Sequence, residues 1–191
     1  MPKSPPIFNQ VAYMAVTCGP GMLTFEESER RINSWMETAS LDDLDALFDL
    51  IQISASLENY EGEYYNEVIA RLLYLWRRKA PDEVVARLPR ITTPPVTNRS
   101  LVICVLEALQ RPECFPYLAE VAQDINSLSD DDALTLVWGL AYSTAPESVS
   151  VLEQIQSQIN PRLESAIEDL PSCIIVARER SSPSWAPKTP N

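Results

Sequence analysis

The feature that most constrains this chain is a recurrence of 34 residues. Pro112 and Pro146, Phe115 and Val149, Leu118 and Leu152, and Val121 and Ile155 all keep that separation, as do Leu72 with Leu106 and Leu75 with Leu109. Each proline stands between two stretches whose apolar residues recur every three or four positions, LEALQRPECFPYLAEVAQDI (106–125) and GLAYSTAPESVSVLEQIQSQI (139–159). Inside a helix a proline loses a hydrogen bond and clashes with the preceding turn, but in the first turn it costs little. The pattern therefore predicts helix, tight corner, helix, repeated. A unit of two helices cannot bury its own apolar side, and repeats of this length do so by stacking on their neighbours. The expected fold is all-α, a short α-solenoid of antiparallel helix pairs; an irregular helical bundle with a chance period is the alternative.

Local signals place the helices. Thr24 stands three residues before Glu27, the spacing of a capping box, and predicts a helix to about Thr38 with Phe25, Ile32, Trp35 and Met36 on its apolar face. Ser40 caps the next helix, with Asp42 and Asp43 in its first turn, where the helix dipole favours negative charge. Tyr65, Ile69, Leu72, Leu73 and Trp76 line a third, closed by Arg77, Arg78 and Lys79. Pro81 opens a short helix that Pro89 stops, and the almost wholly apolar Ser100–Gln110 reads as a buried helix. Asp130, Asp131 and Asp132 head another helix, and the last is expected from Pro161 to Leu170. The organisation read from this is an irregular segment at 1–23, with a short helix near Phe8–Val16. A helical repeat domain follows at 24–170, then a Ser/Pro-rich tail at 171–191 expected to be disordered.

The repeat resembles the HEAT and armadillo-like helical families. The residues that carry the resemblance are Glu107-Ala108-Leu109, Pro112-Glu113, Leu118 and Val121, with Asn98-Arg99 at the start of a helix. Gln110 departs from the family pattern, which often has glycine there, and the unit around Ala133 has no matching arginine. The resemblance covers roughly residues 64–159 and implies a surface for binding another chain. Chromophore lyases acting on phycobiliproteins are also among HEAT-like proteins, and the resemblance extends to that activity as an alternative, with Tyr60 to Glu67 as its candidate stretch.

Composition narrows the chemistry. The chain has no histidine, 4 glycines and 16 prolines, so the commonest general base and the usual phosphate-cradling loops are missing. A net charge of −12 repels phosphate backbones. Its distribution is uneven: −9 over residues 1–70, +5 over 71–111 and −8 over the rest. Cys18, Cys104, Cys114 and Cys173 have neither CxxC nor metal spacing and read as reduced thiols, with Cys104 and Cys114 as small core residues.

Three candidate sites follow. Arg77, Arg78, Lys79, Arg87 and Arg90 form a basic edge whose counter-charge is an acidic partner, a phosphate or the chain's own acids. Tyr60, Tyr64, Glu63 and Glu67 offer tyrosines and acids together, a combination suited to a partner surface. The triple aspartate at 130–132 reads as helix capping, since a calcium loop needs ligands spread around a glycine bend. Trp35, Trp76 and Trp138 read as core, whereas Trp185 in the tail is either incidental or a partner anchor. No catalytic residue, metal or cofactor is expected. The expected function is a non-enzymatic, cytoplasmic adaptor that binds another protein and neither nucleic acid nor membrane. An immunity-type inhibitor that neutralises a toxin by charge is the second reading.

Overall fold

In the computed structural model of the chain, residues 6–14, 24–53, 63–96 and 98–181 are described, and every regular element among them is helical. The helices are α1 (Pro6–Met14), α2 (Phe25–Thr38), α3 (Leu41–Ile53), α4 (Glu63–Lys79), α5 (Pro81–Arg87) and α6 (Pro89–Thr92). Then come α7 (Arg99–Leu109), α8 (Phe115–Ala122), α9 (Asp130–Tyr142), α10 (Ser148–Gln158) and α11 (Glu164–Arg180). No helix among the described residues is long and apolar enough to cross a membrane. The chain divides into two compact units, residues 1–108 and 109–191.

In the first unit α1 packs on α2, α3 and α4, α2 on α4, and α3 on α5 and α6. Leu44, Leu47 and Phe48 of α3 and Leu72, Leu73 and Trp76 of α4 are at most 1% exposed, so the three-and-four spacing of each helix does reach the core. Thr24 accepts a hydrogen bond from Glu27 N at 3.2 Å, but the return bond is absent, because the Glu27 carboxylate is bound to Arg30 and Arg31. The reciprocal box forms one helix later. Ser40 Oγ accepts from Asp43 N, and Asp43 Oδ2 accepts from both Ser40 N and Ser40 Oγ at 2.8 Å. Phe25, expected on the apolar face of α2, is 66% exposed, since it stands at the helix's first position and Ile32 and Met36 make the buried side.

In the second unit α11 lies along α9, and α10 touches α8, α9 and α11. Two corners here share one backbone feature. Gln110 (φ 50°) and Thr144 (φ 62°) are left-handed, 34 residues apart, each two positions before a corner proline. Gln110 thus adopts the conformation that glycine favours. After the first corner, Pro112 opens a single 3₁₀ turn (Pro112–Cys114) and not the α-helix itself. Pro116 has no N–H to give to Pro112 O, so the α-type bond that would start the helix earlier is missing.

The last helix departs most from expectation. It begins at Glu164 and runs through Pro171 to Arg180, so residues 171–180 are helix, where a loose tail was expected. Pro171 is exposed, whereas Leu170, Cys173, Ile174 and Ala177 continue the buried stripe beyond it. Burial on both sides outweighs one lost backbone bond at the solvent face. Residues 182–191, with Trp185, lie outside the described residues, as does Cys18.

Candidate functional site

The basic edge is bound to the chain's own groups. Arg87, whose side chain is only 15% exposed, forms a two-pronged pair with Asp45, Nε to Oδ1 at 3.0 Å and Nη2 to Oδ2 at 3.1 Å. Its remaining prong donates to Glu83 Oε2 at 2.7 Å and to Glu83 O at 2.8 Å. Arg90 joins the same cluster, donating to Asp45 Oδ1 at 2.5 Å and to Asp49 Oδ1. The hydrogen bonds from Arg87, with support from Arg90, hold the Asp45 carboxyl below the usual carboxylate range, and Asp45 in turn raises the Arg87 pKa.

Lys79 has a different partner. The sequence pairs its charge with the C-terminus of its own helix, but its ammonium crosses to α2 and donates to Met36 O at 3.0 Å and Ala39 O at 2.8 Å. It thereby satisfies the carbonyls that every helix leaves open at its end. Arg77 lies over the Tyr74 ring at 4.8 Å. Arg78 is exposed. Of the five predicted residues, then, Arg87 and Arg90 meet at Asp45 and Lys79 caps a neighbouring helix; the five do not converge on a common anion-binding surface.

The tyrosine and acid stretch is described only in part. Tyr60 lies outside the described residues, as do the side chains of Glu63 and Tyr64 in the first turn of α4. Most of the stretch on which the lyase alternative rests is therefore beyond view. Glu67 is exposed and lines a cleft of about 210 Å³ between α2 and α4. Ile32 and Val68 form its floor and Phe25 its open edge. A two-pronged pair, Arg71 Nε and Nη2 to Glu29 at 3.0 and 2.9 Å, runs along it. Glu29 hydrogen-bonding raises the Arg71 pKa. Sequence reasoning missed the Phe25, Glu29 and Arg71 grouping, because the Glu29–Arg71 pair spans 42 residues and no local spacing announces it. A second cleft, about 600 Å³, lies between α1 and α2, where Arg31 stacks on Tyr13 at 3.8 Å and Trp35 Nε1 donates to Gln10 Oε1 at 2.8 Å.

The tryptophans divide. Trp76 is 1% exposed, and among the described residues its indole N–H has no hydrogen-bond partner. Trp35 and Trp138 are only half-buried, and Trp138 Nε1 donates to Asp169 Oδ2 at 2.8 Å, so these two are not pure core. The acidic triplet also acts between helices. Ser129 caps α9, while Asp130 accepts from Ser165 N at 3.1 Å and Ala166 N at 3.4 Å at the start of α11. Hydrogen bonding by the Ser165 side chain, ahead of the Ser165 and Ala166 backbone N–H groups, lowers the Asp130 pKa. Burial, with Asp169 second, pushes the Cys173 thiol up to about 12, and Cys114 is buried as well. Among the described residues no group of three or more Cys, Asp or Glu side chains converges as a metal site would.

No family model, no curated protein and no solved structure matches this chain.

Proposed function

We propose that this chain is a non-enzymatic adaptor that binds a basic protein, built as a short α-solenoid of antiparallel helix pairs. The observation that carries the reading is the sorting of charge. Arg71, Lys79, Arg87 and Arg90 in the first unit each hold a carboxylate or a carbonyl of the chain itself. Arg111, Arg162, Arg178 and Arg180 do the same in the second. The acids are sorted the other way. Glu26, Asp42, Glu67, Glu120, Glu147 and Glu168 are exposed and, among the described residues, have no ion-pair partner. Most of the described cations are thus used as internal ties, with Arg78 and Arg99 as exposed exceptions, and the unpaired acids face solvent. Such a surface steers a basic partner and repels nucleic acid. An immunity-type inhibitor is the narrow form of this reading, in which the basic partner is a toxin.

Two regularities support the solenoid. The left-handed corners at Gln110 and Thr144 recur at the 34-residue spacing of the sequence repeat. Side-chain ties between helices also stay between near neighbours along the chain: among the described residues none reaches further than the 45 of Arg90 to Asp45, and Arg31 to Tyr13 spans only 18. Arg71 to Glu29 and Arg87 to Asp45 each span 42 residues in the first unit, and Asp130 to Ser165 spans 35 and Arg162 to Leu128 spans 34 in the second. Stacked repeats bond mainly to their neighbours, and ties of this reach fit such stacking.

The test is capture on immobilised protein at low salt, repeated at about 0.5 M salt, where exposed charges are screened within a few ångströms. A basic partner should be retained at low salt and weakened at least about tenfold by Glu26→Lys with Glu67→Lys, through loss of steering and rim contacts. Retention that ignores both salt and charge reversal would remove the basis of the reading.

A further inference from the structure

The second unit contains a cleft that its own bonds leave open. α8 and α10 pack together, but along one side α8 contributes only Ala119 and Ala122, and the missing side-chain volume leaves a cleft of about 390 Å³. Ala122 and Ile155, 3% and 1% exposed, form its base. Gln123, the residue that follows α8, and Gln154 and Gln158 of α10 stand around it, all exposed. Among the described residues none of these three side-chain amides has a hydrogen-bond partner. No charged side chain lines the cleft, in a chain of which 22% is charged.

The spacing of the amides selects the occupant. Gln154 and Gln158 are one turn apart, about 6 Å along the axis at 1.5 Å per residue. An extended polypeptide turns peptide groups to the same edge at every second residue, about 6.6 to 6.8 Å apart. A glutamine amide carries both donor and acceptor, as a peptide group does. Two glutamines at this spacing therefore meet successive peptide groups on one edge of an extended strand, with Gln123 facing it from the other wall. A helix would gain nothing here, because its backbone groups are already paired and its diameter is about 10–12 Å. A charged side chain would lose its hydration against alanine, valine and isoleucine with only neutral amides in return.

We propose that the cleft between α8 and α10 is a docking site for an extended, uncharged stretch of a partner polypeptide, gripped through its backbone. It rests on the adaptor reading and adds where in the second unit, and by which chemistry, a partner is held. Its floor of small residues allows the strand's backbone to approach the helices closely.

The test is an NMR titration of the isotopically labelled full chain with a capped octapeptide of alternating alanine and threonine. Two companions are the same peptide N-methylated at alternate residues and a capped octapeptide of alternating lysine and threonine. The expected result is saturable shifts of the Gln123, Gln154 and Gln158 side-chain amides with the first peptide and loss of binding on N-methylation. The pair Gln154→Leu and Gln158→Leu should weaken binding at least about tenfold, the worth of two net hydrogen bonds. Thermal unfolding of that variant should match the parent, since both positions are exposed. Absence of shifts at the cleft up to millimolar peptide overturns the proposal, as does equal binding by the N-methylated peptide or by the leucine variant. If only the lysine peptide binds, at acidic positions elsewhere, the cleft is excluded while the adaptor reading stands; loss of salt-sensitive capture would instead sink that reading.

Discussion

Thr144 and Gln110 offer the most direct check on the corners. At φ 62° the threonine puts a branched Cβ where the left-handed region is costly, by about 1–2 kcal/mol for a residue with a side chain. The corner is held from both sides, since Ser143 Oγ donates to Leu140 O at 2.9 Å and shares a 2.8 Å hydrogen bond with Ser148 Oγ. Thr144→Gly removes that cost without touching these bonds. Against it stands the greater freedom of glycine in the unfolded chain, about 0.5–1 kcal/mol. The net expectation is stabilisation of about 0.5–1 kcal/mol, read as a higher urea midpoint at unchanged slope, or a rise of about 1–4 °C in Tm. Gln110→Gly should move in the same direction. Thr144→Ala, which keeps a Cβ in the same conformation, should stay within about 0.5 kcal/mol of the parent. If both glycine variants lose stability, the left-handed corners are wrong, and with them the structural support for the repeat.

Further tests address the internal ties. Trp138→Phe strips Asp169 of its indole donor and should cost about 1.5–3 kcal/mol. Trp76→Phe deletes a buried N–H that has no partner among the described residues, and should cost less by chemical denaturation despite its deeper burial. Asp45→Asn should lower stability at neutral pH by about 1 kcal/mol, a figure discounted because the Asp45 side chain is 43% exposed. Arg87 holds the folded Asp45 pKa below its unfolded value of about 3.9, so the contribution is present above that pH and is lost as pH falls through the folded value. Stability curves of Asp45→Asn and the parent should therefore converge in acid. Lys79→Met keeps the apolar stem but leaves Met36 O and Ala39 O without their donor, and should loosen the end of α2 by about 1 kcal/mol, seen as faster amide exchange there.

Helix positions were largely legible because they depend on local chemistry. Ser40 caps the helix it precedes, Pro81 stands at the first position of α5, and Leu118, Val121, Leu152 and Ile155 are buried as their spacing required, whereas the cap of α9 is Ser129 and not the aspartates that follow it. The continuation of the last helix past its expected end at Leu170 was not legible, because the local cost of Pro171 is plain in the sequence and its compensation is not. The stripe that carries α11 past it is buried against α9, which lies more than thirty residues earlier, as the 31-residue reach of Trp138 to Asp169 illustrates. The counter-charge of the basic run was open for a similar reason. Nothing near Arg87 or Lys79 in the sequence points to Asp45 or to the end of α2, so an acidic partner, a phosphate and the chain's own acids all stood as counter-charges until the helices were placed. The glutamine cleft left no trace at all, since alanines matter there for what they do not fill.

The ties described for Arg71, Lys79, Arg87, Arg90, Arg162 and Asp130 have a kinetic consequence. The longest reaches back only 45 residues. Closing such short loops costs little chain entropy, and helical proteins dominated by near-neighbour contacts fold in microseconds to milliseconds. Each hairpin can lock onto the one before it as soon as it leaves the ribosome, so synthesis and folding can advance together from the first helices onward.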